Sequence, residues 1–75
     1  LEKFENTDGT ILDPCCGAGN LLAAAIKIGF DPKNVYGIEI DDSIIRIALD
    51  RLIPLGVPDT NIHLGDALDP NSYNF

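Results

Sequence analysis

Two glycines and a downstream acid are the residues of this 75-residue sequence whose types and spacing best suggest chemistry. Gly17 and Gly19 lie in the segment 13–19, which reads DPCCGAG, and glycine lets a backbone approach a ligand without a Cβ in the way. Glu39 follows about twenty residues later, the separation at which such an acid meets ribose hydroxyls. The pattern favours a nucleoside ligand. The simpler interpretation, in which the glycines only close a turn and Glu39 is solvated, stays open.

The sign of charge separates the candidate nucleoside ligands. The dinucleotide fingerprint needs a third glycine where this sequence has Leu22, and NAD or FAD would bring a pyrophosphate to an acidic segment. Residues 13–20 contain Asp13 but no Lys or Arg. S-adenosylmethionine has no phosphate and carries a sulfonium and an ammonium, which carboxylates attract. The sequence therefore favours this methyl donor and disfavours NAD.

Breaker residues divide the chain into the elements that must position these groups. Strands are predicted at 10–13, 35–40 and 61–64, with the first two buried, and helices at 20–28 and from 41 to about Pro54. This β-α-β-α-β order is typical of a parallel sheet with right-handed crossovers, and three strands are half of a doubly wound sheet. The helix residues expected to face a core are Leu21, Leu22, Ala25 and Ile26, then Ile44, Ile45, Ala48, Leu49 and Leu52.

Acidic residues are concentrated where the predicted strands end. In open α/β sheets, ligands bind beyond the carboxyl ends of the strands. Six of the twelve acids lie at or just after such an end, with the pair 41–42 also suited to cap the second helix: Asp13, Glu39, Asp41, Asp42, Asp66 and Asp69. We therefore expect the ligand at this edge.

Composition excludes several classes of protein. The longest apolar stretch, 21–26, is far shorter than the roughly 20 residues of a membrane helix, and the N-terminus lacks the layout of a signal peptide. Adjacent Cys15 and Cys16 cannot staple a secreted fold, which favours the cytoplasm. With His63 they also do not supply a metal site, so we interpret them as loop-lining and His63 as structural. The net charge of −7 makes the chain a poor nucleic-acid binder by itself.

Three segments resemble the first three motifs of the adenine-N6 DNA methyltransferases, particularly those of restriction–modification systems. They read DPCCGAG after the first strand, YGIEID at the second and GDAL after the third, and the resemblance extends over residues 11–68. It implies a Rossmann-like class I methyltransferase fold with S-adenosylmethionine as cofactor. This chain would be the first β-α-β-α-β half of that fold.

The resemblance also implies a role for each matched residue. Asp13 and the backbone of residues 17–19 would hold the methionine part of the donor, and Glu39 would take both ribose hydroxyls. Ile40 would pack on the adenine, whose amino group would donate to Asp66. Asn20 departs from the family, in which an apolar residue is frequent. The cofactor-binding set is then Asp13, Pro14, Gly17, Ala18, Gly19, Glu39, Ile40, Asp66, Ala67 and Leu68.

The family's catalytic motif, Asn or Asp followed by Pro-Pro and an aromatic residue, does not occur in this sequence. We therefore assign no catalytic residue, and interpret 1–9 as a leader, 10–68 as the three motifs and 69–75 as the lead toward the catalytic motif. The absence of Met also indicates a piece of a longer protein, or a protein whose beginning was removed. We expect weak donor binding, no turnover by this piece, DNA contact through parts outside it, and self-association through the exposed half-sheet.

Two alternative functions stay open. A methyltransferase of the same fold could act on RNA, protein or a small molecule, and the Pro-Pro motif after Phe75 would separate it from the DNA enzymes. A non-catalytic nucleotide-binding or structural α/β fragment is the second alternative. It predicts that donor binding is unchanged when Glu39 or Asp66 is replaced with alanine.

Overall fold

The computed structural model describes residues 9–72, which form a three-stranded sheet and two helices. The strands are β1 (Ile11–Asp13), β2 (Val35–Glu39) and β3 (Ile62–Leu64), and the helices are α1 (Asn20–Lys27) and α2 (Asp42–Leu52). This order confirms the predicted α/β fold. Of the predicted leader only residue 9 is described, and residues 73–75 also lie outside the described part.

The sheet is parallel, with the strand order β1-β2-β3. Asp13 pairs with Gly37 and Glu39 pairs with Leu64, so the three strands run in register toward a common end. Because all three strands point the same way, their carboxyl ends lie along one edge of the sheet. The loops that follow Asp13, Glu39 and Leu64 therefore leave from that edge.

Both helices cover the same face of the sheet. α1 packs against β1 and β2, α2 packs against β2 and β3, and the two helices contact each other. Side chains alternate between the faces of a strand, so Leu12 lies on the face opposite to these helices and is 48% exposed. The prediction that the first strand is buried was therefore wrong at Leu12. Within residues 9–72, no helix is long and apolar enough to cross a membrane.

The hydrophobic core lies between the two helices and the sheet. α2 buries Ile45, Ala48 and Leu52 as predicted, but α1 buries only Leu22 and Ala25. Leu21 was expected to face the core and is 43% exposed, because it lies about 100° around the helix from Leu22. The half-buried residues packed against the cluster are Ile11, Ala23, Ile26 and Leu49, and its buried members are Cys16, Leu22, Ala25, Phe30, Val35, Ile45, Ala48, Leu52, Val57 and Ile62.

The end of α1 confirms the stop predicted at Gly29. This glycine has a φ of 121°, a conformation that other residues adopt only under strain. Its N–H donates to the carbonyl of Ile26, and the next N–H, that of Phe30, donates to Ala25, each at 3.1 Å. These bonds form a Schellman motif. They reverse the chain so that Phe30 enters the core.

Asn61 connects two strands at the edge opposite to the acidic loops. The side chain is buried, and its Nδ2 donates to the carbonyls of Lys33 and Val35, each at 3.1 Å. Asn61 immediately precedes β3, and the two carbonyls lie at the beginning of β2. The amide therefore fixes the starts of these two strands relative to each other.

Gly37 allows the loop after β1 to pack directly on β2. A Cβ at this position would lie 2.9 Å from Cβ of Cys16, closer than such atoms approach in proteins, and 3.0 Å from Cδ1 of Leu22, which is also a tight contact. The absence of a side chain at Gly37 thus brings the loop and α1 down onto the middle of the sheet. The position of the loop after β1 depends on this contact.

We expect the substitution Gly37→Ala to lower the free energy of unfolding by about 1 to 3 kcal/mol, because the new methyl group overpacks a closed core. Urea denaturation followed by circular dichroism measures the change. Gly9→Ala is the matched control, because a Cβ at Gly9 has nothing within 4 Å. Equal midpoints for the two variants would contradict the assigned contact.

Candidate functional site

The loop between β1 and α1 turns through two glycines in the left-handed conformation. Gly17 has a φ of 55° and Gly19 a φ of 87°. A Cβ at Gly19 would lie 3.1 Å from Cδ1 of Leu52, whereas a Cβ at Gly17 would have nothing within 4 Å. Gly19 is thus packed against the core and Gly17 borders open space. A ligand can approach the backbone at Gly17.

The N-terminus of α1 opens onto the same loop. Gly19 is its N-cap, and no side chain accepts a hydrogen bond from the first turn. Asn20 is the first residue of the helix. Free N–H groups at a helix start favour a polar or anionic partner. They are consistent with a ligand that carries a carboxylate beside its cationic groups.

Glu39 connects the loops that follow β1 and β2. Its side chain is only 6% exposed, and its two oxygens accept different backbone N–H groups. Oε1 accepts from Gly17 at 3.0 Å, and Oε2 accepts from Asp41 at 2.8 Å. Each carboxylate oxygen has two lone pairs, so each can accept one further hydrogen bond. The carboxylate fixes the glycine loop and keeps acceptor capacity for hydroxyl groups.

Asp41 caps α2 as the sequence predicted. Its Oδ1 accepts from the hydroxyl of Ser43 at 2.7 Å, from the Ser43 N–H at 2.9 Å and from the Ile44 N–H at 3.3 Å. The bond from the Ser43 hydroxyl, followed by those from the two backbone N–H groups, lowers the pKa of Asp41. The capping role accounts for this carboxylate. The contribution of Asp41 to the Glu39 contact comes from its backbone.

The loop after β3 places Asp66 beside the end of β2. The N–H of Gly65 donates to the carbonyl of Glu39 at 2.9 Å, which extends the sheet ladder by one bond. Asp66 is half-buried, and its Oδ1 accepts from the N–H of Leu68 at 2.9 Å. The side chain of Leu68 is 92% exposed, and that of Ile40 after β2 is also exposed. This edge therefore combines carboxylates with uncovered apolar side chains.

The two cysteines differ in environment. Cys15 is exposed, and its N–H donates to Oδ1 of Asp13 at 3.0 Å. Cys16 is buried, and its N–H donates to the carbonyl of Ile38 at 2.9 Å. Burial, followed by the negative charges of Asp13 and Glu39, raises the pKa of the Cys16 thiol to about 11. Cys16 is thus a neutral packing group of the loop at ordinary pH, which agrees with the loop-lining interpretation.

Hydrogen bonds join the three loops at the carboxyl edge. Glu39 is bonded to Gly17 through its side chain and to Gly65 through its carbonyl. The remaining positions of the predicted cofactor-binding set lie in the same loops, although their roles toward a ligand stay predictions. Sequence reasoning missed Ser72, whose hydroxyl bonds to the backbone of Asp66. A glycine followed at a distance by a small hydroxyl residue was the available signal, and it is a weak one.

Comparison with known proteins adds independent information. The chain is 48% identical over 60 residues to the Type II methyltransferase M.VspI of Vibrio sp. (strain 343). It is 37% identical over 59 residues to the ribosomal protein L11 methyltransferase of Escherichia coli O8 (strain IAI1). It is also 40% identical over 57 residues to that of Aliivibrio salmonicida (strain LFI1238). No family profile and no solved structure matches the chain.

These similarities include most of this chain and a small part of each relative. The aligned part is 79% of this chain for the first two relatives and 76% for the third. It amounts to 15%, 20% and 19% of the relatives' own lengths. The similarity therefore supports a relationship between this chain and the methyltransferases, through a segment of at most a fifth of those proteins.

Proposed function

We propose that this chain is the S-adenosylmethionine-binding part of a methyltransferase that methylates adenine N6 in DNA. The observation that carries the proposal is the buried carboxylate of Glu39, which holds the glycine loop at Gly17 and retains acceptor capacity. Its position at the end of β2 is where a ribose is bound in related α/β folds. The similarity to a Type II methyltransferase supports the same assignment.

The chemistry of the described residues fits this donor. S-adenosylmethionine supplies an activated methyl group on a positively charged sulfur. Carboxylates at the strand ends favour that charge and its ammonium group, and they disfavour a pyrophosphate. The open side of Gly17 admits the methionine part, and exposed apolar side chains after β2 and β3 can flank an adenine. The residues proposed to hold the donor are Asp13, Gly17, Gly19, Glu39, Ile40, Asp66, Ala67 and Leu68.

The proposed work of this chain is binding and orientation. Methyl transfer from sulfur to nitrogen proceeds by in-line displacement, so its rate depends largely on the alignment of donor and acceptor. Glu39 and Asp66 would fix the nucleoside at two points, which sets the direction of the methyl group. The adenine acceptor and the DNA would be held by parts of the protein outside this chain.

A protein substrate is the second candidate. The Escherichia coli relative is named for the methylation of ribosomal protein L11, and it is 37% identical to this chain. The two candidates differ in the motif that should follow the donor-binding segment. The motif Asn or Asp, Pro, Pro and an aromatic residue shortly after Phe75 in the parent gene would support the DNA substrate. A parent gene without this motif would favour the second candidate.

Titration of the ¹⁵N-labelled chain with S-adenosylhomocysteine tests the donor site. We expect weak binding, with a Kd of roughly 0.1 to 1 mM because the aligned segment is at most a fifth of the relatives' length, and shifts of the Gly17, Glu39 and Asp66 amides. NADH should not compete. Asp66→Asn should weaken binding, while Asp50→Asn, which removes the same charge from an exposed position late in α2, should not. Shifts spread over the whole chain, or none at all, would contradict the proposal.

A further inference from the structure

Ser72 closes the loop that begins at Asp66. Its Oγ accepts from the N–H of Asp66 at 2.8 Å and lies 2.9 Å from the carbonyl oxygen of Asp66. It also lies 2.8 Å from the carbonyl oxygen of Asp69. A hydroxyl has one proton, so Ser72 donates to one of these carbonyls at a time. The N–H of Ser72 donates to Asp69 at 3.0 Å, and that of Asp69 donates to Asp66 at 2.9 Å.

Gly65 provides the space that Ser72 occupies. A Cβ at Gly65 would lie 2.8 Å from the carbonyl oxygen of Ser72 and 2.9 Å from its Oγ. Since φ at Gly65 is not positive, the requirement for glycine comes from this close approach and not from backbone strain. The two residues therefore form one structural unit.

Hydrogen bonds around Ser72 define the shape of the loop. None of residues 66–72 is buried. The loop also contains the bond from the Leu68 N–H to Asp66 and the bond from the Asn71 N–H to Asp69. The direction of the Asp66 carboxylate depends on the loop backbone, because Oδ1 is held by the N–H of Leu68. Removal of the Ser72 hydroxyl should therefore change the direction of that carboxylate.

We propose that Ser72 is a positioning residue that sets the selectivity of the site for the adenine amino group of the donor. The inference rests on the proposed function, in which Asp66 accepts a hydrogen bond from that amino group. A carboxylate in the right place accepts a hydrogen bond from the amino group, and it loses that partner when the ligand has no amino group. Ser72 thus acts through Asp66 on one atom of the ligand, and it has no role toward the ribose or the methionine part.

The test compares two ligands that differ only at this position. S-adenosylhomocysteine and its purine ribonucleoside counterpart, in which a hydrogen replaces the 6-amino group, are titrated into the ¹⁵N-labelled chain. The unsubstituted chain should prefer the adenosine compound by about tenfold or more. In Ser72→Ala the ratio should fall to about 1 to 2, with the affinity for the compound without the amino group changed less than about twofold. Ser72→Thr keeps the hydroxyl and should keep most of the ratio.

Two further variants separate the effect of the Ser72 contacts from a general loss of structure. Gly65→Ala leaves Ser72 intact but displaces it, and should lower the ratio as Ser72→Ala does. Asn71→Ala alters an exposed neighbour and should leave the ratio unchanged. An unchanged ratio in Ser72→Ala overturns the inference, as does an equal loss for both ligands, which a merely structural role produces. Failure of the unsubstituted chain to bind either compound removes the proposed function and this inference together.

Discussion

The substitution Glu39→Gln is expected to raise the Kd for S-adenosylhomocysteine at least tenfold, to the upper limit of what titration measures, and to lower the free energy of unfolding by about 1 to 3 kcal/mol. Glutamine has the same shape but only one oxygen, so its NH₂ group must face either the N–H of Gly17 or that of Asp41. Two donors then oppose each other at a position that is 6% exposed. The glycine loop loses its connection to β2, and the ribose loses a charged acceptor.

The size of this effect follows from the strength of the two hydrogen bonds that Glu39 accepts. Backbone N–H groups that donate to a carboxylate form charge-assisted hydrogen bonds, which are about twice as strong as neutral ones. In Glu39→Gln one such bond becomes neutral and the other becomes a repulsive contact. Affinity should fall in addition to stability, because ligand binding uses the same two oxygens a second time.

Asp42→Asn is the matched control for charge. It removes one negative charge from the exposed first turn of α2 and leaves the contacts of Glu39 in place. Its affinity should stay within about threefold of that of the unsubstituted chain, as expected for an exposed charge screened by salt. Calorimetry or NMR titration gives the affinities, and circular dichroism shows that each variant is folded. Equal affinities for Glu39→Gln and Asp42→Asn would contradict the prediction. They would show that the Glu39 carboxylate contributes to binding only through its negative charge and not through its hydrogen bonds.

The second large effect is expected for Gly17→Ala, which should weaken ligand binding at least tenfold. A methyl group at Gly17 meets nothing within 4 Å, so it enters the space through which the donor approaches in the proposed site. The substituted residue must also keep a φ of 55°, which costs about 1 to 2 kcal/mol for a residue with a Cβ. Binding is therefore weakened both by the methyl group in the path of the donor and by the strained backbone at residue 17.

Gly19→Ala provides the contrast. Its methyl group would lie 3.1 Å from Cδ1 of Leu52, and its φ of 87° is also left-handed. Stability should fall more than in Gly17→Ala, while the affinity of the molecules that remain folded should change less. Urea denaturation and ligand titration on both variants give the two quantities. A larger loss of affinity in Gly19→Ala than in Gly17→Ala would mean that the ligand does not approach on the open side of Gly17.

The sequence predicted the elements well because local signals determine their ends. Gly29 stops α1 with a left-handed φ, and Asp41 begins α2 by accepting the N–H groups of its first turn. Both signals act within a few residues of the chain. The exposure of Leu12 and Leu21 was mispredicted because apolarity alone does not say which face of a strand or a short helix a neighbour will cover.

The candidate site was predicted in its residues but not in its contacts. Glu39 was identified by its spacing from the glycines, whereas its bond to Gly17 joins residues 22 positions apart and depends on the parallel pairing of β1 with β2. The unit formed by Ser72 and Gly65 was missed because neither residue carries a charge or a periodic signal. Hydrogen bonds between a side chain and the backbone of a residue elsewhere in the chain leave no pattern in the sequence.

The contacts of Asn61 give the two edges of the sheet different tolerance to substitution. Its amide fixes the starts of β2 and β3 through two carbonyls, at the edge away from the acidic loops. The starts of β2 and β3 are therefore held by a residue that lies away from the carboxyl edge. Substitutions in the loops at that edge leave this contact in place. A sheet held in this way suits a segment that is similar both to a Type II methyltransferase and to ribosomal protein L11 methyltransferases.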